Sequence, residues 1–255
     1  MYLRKLYFLL LIFLSCFICS ASAFQAAQNS NQLYPDAEAN VSSDGTVAGF
    51  SIFINGESDI TNASRAIMPS EIEKLRNKGI SFYELPVTYG AITILRNNNN
   101  DFAKDLTPEE VELIYKKNSP VKTWSDIRPD WPDKKIIVAG PKATHGTYDF
   151  FQSKILGKDA PFRDDYDAYQ DYVDIINKVR DNIYAIGYVG LANYNNHRDR
   201  TKTIALNYGD EIVEPTYVNV KHNKYKVLSR KMYLYVNANR TSKPAVSKFL
   251  EVYLS

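Results

Sequence analysis

The chain has little cysteine, little histidine and almost no net charge. Its two cysteines, Cys16 and Cys19, both lie in the first 23 of 255 residues, so the rest of the chain can form neither disulfides nor thiolate metal sites. His197 and His222 lie in polar loops, with no second histidine or carboxylate at metal-ligand spacing. No Ser-His-Asp order, catalytic carboxylate pair or dinucleotide-binding glycine fingerprint is present. The sequence therefore predicts no catalytic residue, no metal site and no cofactor.

The first 23 residues have the pattern of a signal peptide. Arg4 and Lys5 form a basic start, residues 6–18 are almost wholly apolar, and Ala21-Ser-Ala23 offers a small-x-small cleavage site. The apolar run is short for a permanent membrane span. The pattern predicts export with cleavage near Ala23, to the periplasm or the cell surface. An uncleaved N-terminal anchor stays open as the alternative.

The nearly equal numbers of basic and acidic residues limit the kinds of partner that the chain can bind. Removal of Arg4 and Lys5 leaves 29 basic and 29 acidic residues. A neutral protein lacks the basic surface that nucleic-acid binding needs, so no nucleic-acid partner is expected. The remaining length suits one large or two small α/β lobes.

Hydrophobic periodicity alternates between strand and helix, which is typical of an α/β fold with a mostly parallel sheet. The sequences Ser70-x-x-Glu73 and Thr107-Pro-Glu-Glu110 resemble capping boxes and predict helix starts. Glycine at positions 56 and 79 predicts helix ends. The predicted strands are 39–42, 59–60, 83–87, 91–95, 136–139, 186–189 and 232–236, and further helices are predicted at 46–54, 146–156, 169–180 and 246–254.

Two strand–loop–helix units, residues 41–55 and 136–156, bring hydroxylated residues to helix starts. Free backbone N–H groups and the positive end of a helix favour anions there. Thr46 lies at the first start and Gly146-Thr147 at the second. Glycine lets a ligand approach the backbone closely. The plain alternative at each start is an ordinary N-cap.

Asp59, Arg65 and His145 extend this anion hypothesis. Arginine offers a planar fork of donors to an oxyanion. An aspartate can accept the proton of a protonated oxyanion such as hydrogen phosphate and repels a fully ionised one such as sulfate. An Asp59–Arg65 ion pair is the structural alternative. His145 precedes Gly146 and can donate when protonated, although a loop histidine is more often uninvolved.

Several segments resemble the phosphate-binding proteins of bacterial phosphate ABC transporters, in collinear order over about residues 34–254. The similar segments are DGTVAGF at 44–50, GESDITNASR at 56–65, ELPV at 84–87, VKTWSDIRPDWP at 121–132, GPKATHGTYDF at 140–150 and IGYVG at 186–190.

The resemblance implies a type II periplasmic binding-protein fold, in which two α/β lobes with mixed sheets and flanking helices close on one phosphate. It implies a discontinuous first lobe at residues 34–96 and 228–255 and a second lobe at 97–227 that includes the return crossover. It also implies a monomer that delivers phosphate to the membrane permease of an ABC transporter.

By the same resemblance, the phosphate-binding residues are expected to be Thr46, Asp59, Ser64, Arg65, Gly146 and Thr147. Thr46 matches a hydroxyl ligand, Asp59 the carboxylate that accepts the phosphate proton, and Ser64-Arg65 a donor pair. Gly146 and Thr147 match donors of the second lobe.

The chain departs from the family at three places. His145 stands where the family has serine, and it can contribute a donor or fill the site. The family's opening strand and hydroxyl-bearing loop have no counterpart, and the chain stops at Ser255 before a further first-lobe segment. The first lobe is therefore expected to be incomplete, which allows weakened binding. An exported structural or interaction protein and, below it, a phosphate-ester hydrolase are the alternatives.

Overall fold

Two stretches of chain that are distant in sequence build the first of two units. In the computed structural model, which describes residues 10–14, 17–43 and 45–255, unit 1 comprises Met1–Thr88 and Arg230–Ser255. Unit 2 comprises Tyr89–Ser229. None of the helices in these described ranges is long and apolar enough to cross a membrane.

The sheet of unit 1 has a parallel edge. Strand β1 (Leu10–Leu14) lies between β2 (Ala39–Ser43) and β3 (Ile60–Ala63) and is parallel to both. A late strand, β11 (Ser229–Asn237), pairs antiparallel with β3, with Tyr235 opposite Thr61. The carboxyl ends of β1, β2 and β3 therefore meet at one edge of the sheet.

Alternating side chains of this sheet pack against helices on both faces. Leu234 and Val236 join a core with α1 (Phe17–Leu33) and α9 (Pro244–Tyr253), whereas Tyr235 joins the core of α2 (Gly45–Ile54) and α3 (Pro69–Asn77). Such alternation follows from the period of two along a strand. Both faces of the sheet are thus covered within unit 1.

Unit 2 has a mixed sheet centred on β8 (Ala185–Gly190). This strand is parallel to β6 (Ile137–Pro141) and antiparallel to the second half of β4 (Phe82–Arg96). The remaining strands extend the sheet at its two sides: β7 (Asp167–Tyr169), β9 (Lys202–Asn207), β5 (Asp105–Leu106) and β10 (Ile212–Val213).

Helices cover both faces of this second sheet. Val138 and Tyr188 pack into a large aromatic core, and Ala139 and Val189 pack against α6 (Tyr172–Arg180). The other helices of the unit are α4 (Pro108–Tyr115), α5 (Gly146–Phe151) with a π-helical continuation Gln152–Leu156, α7 (Leu191–Asn195) and α8 (Tyr217–Lys221).

The fold confirms the predicted α/β class with mixed sheets and flanking helices. The capping box at Thr107 is confirmed, since Thr107 Oγ1 accepts from Glu110 N at 3.1 Å and Glu110 Oε2 accepts from Thr107 N at 2.8 Å. Gly56 ends its helix with a φ of 75°, as expected of a left-handed C-terminal residue.

Three expectations were wrong. A strand does open unit 1, because Leu10–Leu14, within the segment read as a signal peptide, pairs on both sides. Helix α3 begins at Pro69 and its capping carboxylate is Glu71, whose Oε2 accepts from Met68 N, so Ser70 and Glu73 form no capping box. The two strands expected at 83–95 are one strand, β4.

Candidate anion-binding residues

In unit 1, two hydroxyl groups meet at the carboxyl edge of the parallel strands. Thr46 is the second residue of α2, just after β2, and Ser64 directly follows β3. Thr46 Oγ1 lies 3.0 Å from Ser64 Oγ and accepts from Ser64 N at 3.1 Å. Strand order thus places side by side two residues that are 18 positions apart. Ligands of open α/β sheets bind at this kind of edge.

Arg65 follows Ser64, and its guanidinium is held in one orientation. Nη1 donates to Glu71 Oε2 and Nη2 to Glu71 Oε1, each at 2.8 Å, and Nη1 also donates to the carbonyl of Ala66 at 3.1 Å. The guanidinium carbon lies 4.9 Å from the ring centroid of Phe50. A paired, stacked guanidinium is preorganised, since little side-chain freedom remains to be lost on binding.

The Arg65–Glu71 pair shifts the pKa values of both groups. The hydrogen bonds to Glu71 raise the pKa of Arg65 above its ordinary value. Burial raises the pKa of Glu71, but the hydrogen bonds from Arg65 and from Met68 N outweigh burial and bring it below its ordinary value. At neutral pH Glu71 is therefore a carboxylate that balances the charge of Arg65.

Asp59 does not lie with Thr46, Ser64 and Arg65. It precedes the first residue of β3, whereas Ser64 follows the last one. At about 3.3 Å per residue the two are roughly 16 Å apart along the strand. The Asp59–Arg65 ion pair considered from sequence is not formed, because Arg65 pairs with Glu71.

The carboxylate of Asp59 instead pairs with two cations of the segment that follows the antiparallel strand β11. Both its oxygens accept from Lys243 Nζ at 3.0 Å, and Oδ1 also accepts from Arg240 Nη1 at 3.4 Å. Asp59 is 4% exposed and its carbonyl accepts from Asn237 N at 2.9 Å. This residue therefore connects the start of β3 to the segment between β11 and α9, and the structure does not bring it to Thr46, Ser64 and Arg65.

In unit 2, a turn after β6 carries the three remaining candidates. His145 N donates to the carbonyl of Lys142 at 3.0 Å, and the carbonyl of His145 accepts from Tyr148 N at 2.9 Å as α5 begins. A Cβ placed on Gly146 meets no heavy atom of the described chain within 4 Å. The space beside the Gly146 backbone is therefore open, as a ligand approach there requires.

A tyrosine of α6 contacts the residues on either side of Gly146. The hydroxyl of Tyr172 lies 2.8 Å from Thr147 Oγ1. The ring of Tyr172 meets the ring of His145 edge to face, with centroids 5.2 Å apart. His145 is 7% exposed, so it is not the exposed loop histidine that the sequence favoured.

Sequence reasoning missed Glu71 and Tyr172. Glu71 lies six residues after Arg65, outside any helical i to i+4 spacing that would signal a pair. Tyr172 lies 25 residues after Thr147, and only the packing of α6 against β6 brings it close. Among residues 10–14, 17–43 and 45–255, no group of three or more His, Cys, Asp or Glu side chains is placed to hold a metal ion.

The two α/β units, each with helices on both faces of a mixed sheet, define a type II periplasmic binding-protein fold. The family model described as "PBP superfamily domain" matches residues 20–255. Among solved structures, a possible phosphate binding protein from Planctomyces limnophilus superposes with a TM-score of 0.80 at 31% identity, covering 97% of this chain and 87% of that one. An ABC-type phosphate transport receptor from Vibrio cholerae shares the fold, with a TM-score of 0.78 at 20% identity and coverage of 96% and 93%.

Two curated relatives are similar to this chain in sequence. The phosphate-binding protein PstS of Staphylococcus epidermidis is 34% identical over 223 residues, which cover 87% of this chain and 67% of that protein. Protein SphX of Synechocystis is 31% identical over 264 residues, covering 97% and 79%. The chain belongs to the family of substrate-binding proteins of phosphate ABC transporters.

Proposed function

We propose that this protein binds inorganic phosphate and delivers it to the membrane permease of an ABC transporter. The observation that carries the proposal is the adjacency of Thr46, Ser64 and Arg65 at the carboxyl ends of parallel strands. Hydroxyl groups and a fixed guanidinium at such an edge suit a small tetrahedral oxyanion. The names of the relatives, which include phosphate-binding protein PstS, support the same ligand.

Thr46 and Ser64 donate through their hydroxyls, and Arg65 donates through N–H groups other than those bonded to Glu71 and to the carbonyl of Ala66. In unit 2, Gly146 donates through its backbone N–H and Thr147 through its hydroxyl, with His145 as a further candidate donor. The proposed activity is binding and release, so no bond of phosphate is broken.

Calorimetric titration of the full chain with phosphate and with sulfate tests this proposal. We expect heat with phosphate and loss of about ten- to a hundredfold in affinity for Arg65→Ala, because hydrogen bonds to charged groups are among the stronger ones. Arg65→Lys keeps the charge but loses the planar fork of donors, so its phosphate affinity is expected to lie between those of the parent and Arg65→Ala. Arg76→Ala removes an exposed arginine of α3 in the same unit and serves as the matched control.

A folded parent chain that gives no heat with phosphate would overturn the proposal. That result would favour the alternative of an exported protein that keeps the fold without binding. Equal affinity for Arg65→Ala and the parent would remove Arg65 from the site while leaving phosphate binding in place.

We also propose that the protein is exported and acts as a monomer. Cleavage after Ala23 would remove β1. A cleaved protein could therefore not form the parallel pairs of β1 with β2 and β3. Mass spectrometry of the protein recovered outside the cytoplasm distinguishes the cleaved from the uncleaved chain. Light scattering of the purified chain tests the monomer, and co-purification with the membrane permease tests the transporter partner.

A further inference from the structure

Tyr172 connects the start of α6 to the turn that carries Gly146. Its ring belongs to an apolar cluster with Ile175, Ile176 and Val189 and is 7% exposed. A tyrosine packed in this way has a fixed ring and one polar atom at its end. That atom, the hydroxyl oxygen, lies 2.8 Å from Thr147 Oγ1.

We propose that Tyr172 is a positioning residue for anion binding, because its hydroxyl directs the proton of Thr147 towards a bound oxyanion. This inference rests on the proposed function. A threonine hydroxyl has one proton to donate and two lone pairs that accept. When Tyr172 donates to Thr147 Oγ1, the hydroxyl proton of Thr147 is available to donate to another acceptor. When Thr147 donates to Tyr172, that proton is occupied.

An oxyanion selects the first of these two arrangements. Hydrogen bonds to an ionised acceptor are about twice as strong as those between neutral groups. A phosphate oxygen therefore takes the proton of Thr147, and the tyrosine proton moves into the bond between the two side chains. Hydrogen bonds in such a chain polarise and strengthen one another.

The ring of Tyr172 has a second effect on the same turn. It lies edge to face with His145, whose backbone carbonyl accepts the hydrogen bond that starts α5. One rigid side chain thus contacts both neighbours of Gly146. The ring holds the turn, and the hydroxyl sets the direction of the Thr147 donor.

A double-mutant cycle separates these two effects. Phosphate titrations are measured for the parent, Tyr172→Phe, Thr147→Val and the double variant, all as the full chain. Tyr172→Phe keeps the ring and its contact with His145 and removes only the hydroxyl. We expect it to weaken phosphate binding about three- to tenfold. In the Thr147→Val background the same change is expected to have less than about a twofold effect, since the hydroxyl then has no threonine to direct.

Tyr208→Phe is the matched control, because Tyr208 also has a hydrogen-bonded hydroxyl in unit 2, which accepts from Val227 N at 3.4 Å. It is expected to bind phosphate as the parent does. Melting temperatures of all variants check that each is folded.

The outcomes are distinct. A parent that binds phosphate while Tyr172→Phe keeps the same affinity overturns this inference and leaves the proposed function intact. An equal loss in both backgrounds also overturns it, because Tyr172 would then act independently of Thr147. A folded parent that gives no heat overturns the proposed function and this inference together.

Discussion

Arg65 and Glu71 are joined by two parallel N–H···O hydrogen bonds of 2.8 Å each, between the end of β3 and the first turn of α3. Glu71 is 7% exposed and also accepts from Met68 N at 2.8 Å. The carboxylate of Glu71 therefore fixes the orientation of Arg65, a candidate anion-binding residue, and caps the start of α3. This relationship couples the candidate site to the stability of unit 1.

Glu71→Gln is expected to lower the free energy of unfolding by about 1–2 kcal/mol at neutral pH, because a charge-assisted pair becomes a neutral contact. Urea unfolding measures this loss. Glu73→Gln, at an exposed position of the same helix, is the control and is expected to unfold like the parent.

The stabilisation by Glu71 is expected to depend on pH. The pKa of Glu71 in the folded chain lies below the ordinary value of 4.5, so the folded state favours the ionised form. The contribution is therefore complete above pH 4.5 and is lost as the pH falls through the lower folded pKa. Unfolding of the parent and Glu71→Gln, compared from pH 7 down to pH 3, should show the difference shrinking. A difference that grew with acid would contradict this assignment.

Asp59→Asn is expected to destabilise the protein without changing phosphate affinity. The substitution leaves Lys243 and Arg240 facing a neutral amide at a buried position. We expect the free energy of unfolding to fall by about 2–4 kcal/mol, a cost that is limited because both cations still reach water. Phosphate affinity should stay within about twofold, since Asp59 lies at the other end of β3 from Ser64.

Thermal unfolding and calorimetry of the same sample measure both quantities for Asp59→Asn. Asp36→Asn, at an exposed position of unit 1, is the control. A large loss of phosphate affinity with normal stability would show that Asp59 takes part in anion binding.

Tyr115→Phe is expected to raise the free energy of unfolding by up to about 1 kcal/mol. The Tyr115 hydroxyl is fully buried and has no hydrogen-bond partner among the described residues, so it carries a desolvation cost without compensation. Burial raises the pKa of this hydroxyl well above its ordinary value, as expected of a group that stays neutral in the fold.

Tyr188→Phe is the matched comparison for Tyr115→Phe. The Tyr188 hydroxyl is hydrogen-bonded to that of Tyr166 at 3.0 Å, so its removal is expected to cost about 1 kcal/mol. Urea unfolding of the two variants should therefore give changes of opposite sign. Destabilisation by both to the same extent would show that the Tyr115 hydroxyl has a partner.

Removal of residues 1–23 is expected to destabilise unit 1, because it removes the first seven residues of α1 and also β1, whose backbone pairs with both β2 and β3. The lost ladder hydrogen bonds amount to about 2–5 kcal/mol. Removal of residues 1–8 keeps β1 and serves as the control. Thermal unfolding compares both shortened chains with the full one. Equal stability of all three would mean that neither β1 nor the start of α1 stabilises the fold.

Local signals in the sequence were sufficient for several elements. The capping box at Thr107 and the left-handed Gly56 follow from residues within four positions of each other, so a short window contains the whole interaction. The alternation of strands and helices likewise gave the α/β class. Thr46 could be proposed from a predicted helix start and Arg65 from the donor geometry of arginine, whereas Ser64 was expected only from the family resemblance.

Long-range pairing decided the rest. The strand made from Leu10–Leu14, the pairing of Asp59 with Lys243 across 184 positions, and the contact of Tyr172 with Thr147 all depend on which elements become neighbours. Sequence alone determined the α/β class and local features such as the capping box at Thr107 and the helix end at Gly56. Only the tertiary structure decided which partner holds each charged residue at the two ends of β3, because strand order and helix packing join residues that no local pattern relates.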